Sequence, residues 1–257
     1  MWDNEIKVAR DAALEAGKIL KDLFGRVNHI VKKGAIDLVT EADMEAEKVI
    51  LDRIHEHFPQ DGILAEETGE HTHTGERVWL VDPLDGTTNF AHTVPFFAIS
   101  IALQVDDDFV LGVVSNPYMG EHFEVVKGLG AFLNGKRIRV SHNRDLQNSL
   151  LALGFPYTIQ EDPHRAMDHL KKMIVRAQGV RRAGSAAIDL CYVAAGKFDG
   201  FWEEGLKPWD TAAGMLMVRE AGGKVSNYEG NPYTPYSTTI VASNSFIHEA
   251  MLAVLNS

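Results

Sequence analysis

The 257-residue sequence is short of cysteine, of basic charge and of long apolar runs, and each shortage closes a route. A single cysteine, Cys191, excludes an internal disulfide. It lies in the apolar run Ile188-Asp189-Leu190-Cys191-Tyr192-Val193 and reads as a buried small hydrophobe, not a nucleophile. Lysine and arginine number 25 against 36 aspartates and glutamates, a formal net charge of −11. A nucleic-acid binder needs the opposite balance to neutralise phosphates, so no nucleic-acid partner is expected. No run of eighteen apolar residues occurs, which removes a membrane span and a membrane partner from the expectations. The first twenty residues carry acids early and read as an amphipathic helix, not a signal peptide, and cytoplasmic residence follows by default. No repeat, low-complexity tract or Ser/Gly/Pro-rich linker interrupts the chain.

What is present is an ordinary globular composition, 45% hydrophobic and 24% charged, long enough to bury a sizeable core. Apolar spacing predicts a helix over 3–24, stopping near Gly25. Residues 26–39 read as a loop or short hairpin. Thr40-Glu41-Ala42-Asp43 resembles a capping box, opening a helix that Pro59 stops. Strands are expected at 62–65 and 78–81, then an antiparallel meander at 97–105, 109–115 and 121–127. Gly128-Leu129-Gly130 and Asn134-Gly135 read as tight turns. The second half alternates: strand 149–153, helix 163–176, a helix opening at Gly184-Ser185-Ala186-Ala187, strand 199–202, helix 210–221, strand 239–242 and helix 246–255. The expectation is one domain over 1–257, with an α+β part over roughly 1–145, an α/β part over 146–257, and a cleft between them.

One stretch organises the chemistry. Trp79-Leu80-Val81-Asp82-Pro83-Leu84-Asp85-Gly86-Thr87-Thr88-Asn89-Phe90 ends an apolar run in two aspartates three apart, then offers a glycine and two threonines as a helix begins. Carboxylates delivered to a helix N-terminus can hold a divalent metal and phosphate oxygens together, because the first free N–H groups and the macrodipole attract anions. Asp-Pro-x-Asp-Gly is equally the sequence of a turn with capping aspartates. Likewise Asp210, in Trp209-Asp210-Thr211, reads as either an N-cap or a ligand. Further carboxylates stand where strands should end or helices begin: Glu66, Glu67 and Asp43. Hard oxygen donors at this density suit Mg²⁺ or Mn²⁺ and not zinc. The histidines His71 and His73 read as solvated, and His92 as a local hydrogen-bonding residue. Gly128-x-Gly130 fails the context of a dinucleotide loop, since it follows a meander strand.

The run Asp82 to Phe90, with Ala65-Glu66-Glu67 before it and Trp209-Asp210-Thr211-Ala212-Ala213-Gly214 after it, resembles the inositol monophosphatase family, and its bacterial branch in particular. That family belongs to the lithium-sensitive, Mg²⁺-dependent sugar-phosphatase superfamily. The likeness extends to Asp37-Leu38-Val39-Thr40-Glu41-Ala42-Asp43 and to Gly184-Ser185-Ala186-Ala187, and so spans nearly the whole chain. It implies a layered αβαβα fold, mixed α+β and α/β, and a homodimer. It implies one metal site from Glu66, Asp82 and the Leu84 carbonyl, and a second from Asp82, Asp85 and Asp210. A weaker third ion would share Glu66. Asp43 and Thr87 would orient and deprotonate the attacking water, Gly86 and Thr87 would hold phosphate through N–H groups, and Glu203, with Ser185 and Ala186, would line the substrate wall. Lys32 and Lys33 either approach the phosphate or belong to a solvated loop, and the polar turn at 70–76 has no assigned role.

The activity these residues imply is Mg²⁺-dependent hydrolysis of a small phosphate ester, myo-inositol 1-phosphate first. Fructose-1,6-bisphosphate, NADP or an adenosine bisphosphate are the alternatives within the superfamily. A phosphate-binding protein with little turnover is the alternative from another class.

Overall fold

A computed structural model describes residues 2–26, 30–32, 38–71 and 76–257, with 30–32 and 38–39 given by backbone alone. Lys33 and residues 72–75 of the polar turn, His73 among them, lie outside the described residues. The first helix, α1 (Asp3–Leu23), buries Val8, Ala9, Ala12, Ala13, Ala16 and Leu20 along one stripe, as the three-and-four spacing demands. Strands β1 (Ile30–Lys32) and β2 (Leu38–Thr40) pair antiparallel, where a loop or short hairpin was expected. Helix α2 (Glu41–His57) opens on a true capping box. Thr40 Oγ1 accepts the Ala42 N–H at 3.1 Å, and the Asp43 carboxylate accepts the Thr40 N–H at 2.8 Å.

The large sheet follows in chain order: β3 (Gly62–Ala65), β4 (Gly69–His71), β5 (Arg77–Asp85), the short helix α3 (Thr87–Ala91), β6 (Ala98–Val105), β7 (Asp108–Asn116), β8 (Glu121–Val126), β9 (Gly130–Leu133) and β10 (Lys136–Arg137). Its spatial order is β10-β9-β8-β7-β6-β5-β3-β4. β6 to β8 form the predicted meander, and β9, which takes up Gly130 from the expected tight turn, extends it through a hairpin that holds Gly128. The second half supplies β11 (Leu150–Leu153), α4 (His164–Ile174), β12 (Gly179–Arg181), α5 (Ala186–Ala194), β13 (Gly200–Glu204), α6 (Pro208–Glu220), β14 (Lys224–Ser226), β15 (Thr239–Ser243) and α7 (His248–Leu255). Its strands order as β12-β11-β13-β15-β14, parallel around β11 and antiparallel around β15.

Strand alternation decides the layering. In β5, Trp79 and Val81 join the core beneath α1 and α2, with Ala13 and Ile50. Leu80, between them, points to the other face and meets Leu190 of α5 and Met217 of α6. The same core takes Phe201 and Ile240 from the second sheet. Trp202, next to Phe201, points away to Met173 of α4 and Met251 of α7. The result is helix, sheet, helix, sheet, helix, the layered αβαβα fold. Cys191 is buried in the middle helical layer. Among the described residues no helix is long and apolar enough to cross a membrane.

The helix expected after Gly86 is present and runs for five residues. One local expectation is corrected. The helix expected to begin at Asp210 begins at Pro208, whose missing N–H costs nothing in the first turn.

Candidate active site

Strand β5 continues through the motif by slipping register. Asp82 stands opposite Ser100 and Asp85 opposite Ala98, three residues against two. In a regular strand, side chains three apart point to opposite faces. The bulge turns Asp85 to the side of Asp82, and both line one cleft of about 200 Å³. Pro83, with no N–H to give a ladder, sits inside the bulge. Asp82 Oδ1 accepts the Leu84 N–H at 2.9 Å. Gly86 then takes φ 95° as the cap of α3. A Cβ there would lie 3.0 Å from the carbonyl oxygens of both Gly184 and Phe96, so strain and crowding both require glycine.

The remaining groups arrive from four other elements. Asp43, fully buried on α2, accepts the Thr40 hydroxyl at 2.6 Å on Oδ2 and the Thr87 hydroxyl at 3.1 Å on Oδ1. Thr87 Oγ1 lies equally close, 3.0 Å, to the Leu84 carbonyl. Glu66 leaves the end of β3, where its N–H reaches the Val81 carbonyl. Glu203 projects from β13 and is buried. Asp210 sits in the first turn of α6, where its Oδ2 accepts the Lys207 N–H at 2.7 Å; the Ser100 hydroxyl holds the neighbouring Trp209 carbonyl at 3.1 Å. Glu66, Asp82, Leu84, Asp85, Gly86, Thr87, Ser185, Ala186, Glu203 and Asp210 all line the cleft. Asp43 reaches it through Thr87. His71 bonds Thr68 at 2.7 Å and His92 is exposed at the end of α3; neither lines the cleft.

Burial and like charge dominate the electrostatics. Burial, then the charges of Glu66, Asp85 and Asp210, push the Asp82 carboxyl well above the usual range. Burial, then Asp85, raises Asp210 in the same way. Burial raises Asp85 against the donors Ser185 and Ala187 and the nearby Arg182 guanidinium. Burial also lifts Asp43, opposed by the bonds from Thr40 and Thr87.

The donor set fits a hard divalent cation: carboxylate and carbonyl oxygens line the cleft, with no histidine or cysteine among them. Among the described residues no three acidic, histidine or cysteine side chains already meet as a ready-made cage.

Sequence reasoning missed three supporting residues and a second role of a fourth. Glu47, buried one helical turn after Asp43, accepts the Glu67 and Thr68 N–H groups at 2.9 Å each and fixes the turn that carries Glu66. Its i, i+4 relation to Asp43 was the available signal. Asn89 donates to the carbonyls of Phe96 and Ala183 at 2.7 and 2.8 Å, tying the motif to the loop before α5. Asp189 also lines the cleft. Ser185, expected on the substrate wall, lines the cleft and also caps α5 and donates to Asp85 Oδ2 at 2.5 Å, while Ala187 N–H adds a second bond at 2.7 Å. The second half of the chain thus orients a carboxylate of the first.

Two sheets sandwiched among three helical layers, with an all-oxygen carboxylate cleft at the strand exits, define a phosphatase of the sugar-phosphatase type. Residues 1–257 match the model of the inositol monophosphatase family from end to end, and the chain belongs to that family. It is a phosphoric monoester hydrolase by that membership, in a family that is generally metal-dependent. It is 44% identical over 252 residues to an inositol-1-monophosphatase of Synechocystis, covering 97% of this chain and 88% of the relative. It is 43% identical over 251 residues to the Nus factor SuhB of Salmonella typhimurium, covering 96% of this chain and 94% of that one. Its fold superposes on the crystal structure of the extragenic suppressor protein suhB from Bartonella henselae with a TM-score of 0.95, at 41% identity and 99% coverage of both chains.

Proposed function

We propose that this phosphatase is Mg²⁺-dependent, with Mn²⁺ as a substitute, and that its substrate is myo-inositol 1-phosphate. The observation that carries the reading is the convergence in one cleft of Glu66, Asp82, Asp85 and Asp210 with the Asp43–Thr87 pair and the Gly86 turn. Glu66, Asp82 and the Leu84 carbonyl would hold one ion, Asp82, Asp85 and Asp210 a second, and a third would share Glu66. Bound there, divalent cations neutralise phosphate charge and lower the pKa of water.

The chain's own residues supply the rest. Gly86 and Thr87 N–H groups hold phosphate oxygens in place, which matters because phosphoryl transfer depends on positioning and charge more than on covalent chemistry. Thr87 Oγ1 donates to Asp43 and keeps lone pairs to accept a hydrogen bond from a water. As that water's oxygen bonds to phosphorus and the ester P–O bond breaks, its proton passes to Thr87 and the Thr87 proton to Asp43. Solvent protonates the departing alkoxide and takes the proton back from Asp43, so one water is consumed and one alcohol and one phosphate are released. Glu203 accepts a hydroxyl of the leaving group from the wall formed with Ser185 and Ala186.

Phosphate release with Mg²⁺ from myo-inositol 1-phosphate, fructose-1,6-bisphosphate, NADP and 3′-phosphoadenosine 5′-phosphate tests the reading. The highest kcat/KM is expected for the inositol ester, and a higher value for another compound overturns the substrate. Li⁺ should inhibit, and a solution mass twice that of the chain is expected for the homodimer the family resemblance implies.

A further inference from the structure

Asp189 has no part in the ligand, water or substrate sets above, yet its setting is costly. It is 1% exposed on the first turn of α5 and lines the same cleft as Glu203. Its Oδ1 is buried and has no hydrogen-bond partner among the described residues. The carboxylates of the expected metal and water sites differ: Asp82, Asp85, Asp210 and Asp43 each accept at least one protein donor. An unpaired buried acceptor is destabilising, and more so if charged, so a chain keeps one where a ligand completes it. The backbone explains nothing here, since the Asp189 N–H is already spent on the Ser185 carbonyl.

The surroundings select the ligand's chemistry. Asp85, Glu203 and the Arg182 guanidinium on the rim are the charged groups that face Asp189. Phe155, Pro156 and Leu206 supply apolar wall between the polar groups. Acceptors at two points, a cation at the rim and apolar surface between them match a ring with C–H faces and O–H edges.

We propose that Asp189 is a second hydroxyl-recognising carboxylate, accepting a hydrogen bond from a substrate hydroxyl beside the one Glu203 takes. The inference rests on the polyol-phosphatase reading above and sharpens it: the leaving group must carry at least two free hydroxyls on the Asp189–Glu203 side. Asp189 is a specificity residue, and the reacting atoms do not need it.

The test compares kcat/KM for myo-inositol 1-phosphate with that for phenyl phosphate, which has no hydroxyl to offer. Asp189→Ala should lower the inositol-to-phenyl ratio about tenfold or more, the size of one hydrogen bond to a charged group, with the change carried by KM. Asp189→Asn, which keeps one acceptor oxygen and the side-chain shape, should recover part of the ratio and melt at or above the wild-type temperature, because an unpaired buried carboxylate is gone. Equal losses on both substrates, or an Asn variant that melts lower with the ratio unchanged, mark a structural residue and overturn the inference. A shifted Mg²⁺ requirement with an unchanged ratio marks a metal ligand and overturns it as well. Wild-type protein that cleaves phenyl phosphate but no polyol phosphate overturns the polyol reading and this inference together, and so is told apart from failure of the inference alone.

Discussion

Gly154 is where a single methyl group should separate binding from folding. It follows the last residue of β11, and its N–H reaches the Trp202 carbonyl of β13. A Cβ placed on it would overlap all three carboxyl atoms of Glu203, well inside van der Waals contact, and no backbone atom is nearer. The Gly154 φ is not in the left-handed region, so alanine meets no backbone strain there. In Gly154→Ala the Glu203 carboxylate must therefore swing away while the strand pair stays. If Glu203 takes a leaving-group hydroxyl, moving it forfeits one hydrogen bond to a charged group, about 1.5–3 kcal/mol, or roughly a 10- to 150-fold loss in kcat/KM for the inositol ester.

Stability should move the other way or not at all, since alanine narrows the unfolded ensemble by about 0.4–1 kcal/mol where its native conformation is unstrained. Steady-state kinetics beside urea unfolding read both quantities on one preparation. The expected pattern is a loss in kcat/KM matching that of Glu203→Gln, with a denaturation midpoint at or above wild type. A kcat/KM within twofold of wild type refutes the argument that Glu203 is held over Gly154 for binding. A large fall in both activity and midpoint refutes it too, because it places the clash in the scaffold.

Other outcomes follow from the same contacts. Chelation with EDTA should abolish phosphate release, Mg²⁺ or Mn²⁺ should restore it, and Asp82→Asn should abolish it at all Mg²⁺ concentrations while raising the melting temperature in EDTA, since one of four mutually repelling carboxylates is neutralised; an active Asp82→Asn protein refutes the shared-ligand arrangement. His248 is fully buried between Ser226 and Ser243, at 2.8 and 2.9 Å, and burial, then Lys224, holds its pKa down to about 4. The unfolded chain therefore binds the extra proton between about pH 6.5 and 4. Stability from this site is complete above pH 6.5 and falls by about 1 kcal/mol by pH 5, after allowance for screening. His248→Gln should flatten that slope in urea titrations at pH 7 and 5, and an unchanged slope refutes the assignment. Because Leu80 and Phe123 of one sheet share a core with Phe201 and Ile240 of the other, we propose that residues 1–257 unfold as one domain; two resolved calorimetric transitions would count against it.

How much of this was legible in the sequence depended on how far each feature reaches along the chain. Helices with a buried stripe, such as α1, and long central strands, such as β6 and β7, announce themselves because packing repeats at the period of the backbone. β9 and β10 were read as turns because glycines flank them, and three other strands that escaped notice, β4, β12 and β14, are three residues each and lie at sheet edges. With one neighbour and half-open faces, Gly-Glu-His, Gly-Val-Arg and Lys-Val-Ser need no apolar alternation. The site divides in the same way. Asp82, Asp85 and Thr87 are legible because the bulge that gathers them is written in consecutive residues. Ser185 was read as wall because its real partner, Asp85, lies 100 positions away and only the folded middle layer brings the two together. Asp189 was invisible for a further reason. A carboxylate in a helix's first turn is favoured there by the macrodipole and looks like an ordinary start signal. What distinguishes it is that its oxygen finds no donor in the finished fold, a fact about every neighbour at once. Long-range satisfaction of polar groups, and its failure, is the part of a functional site that no local pattern encodes.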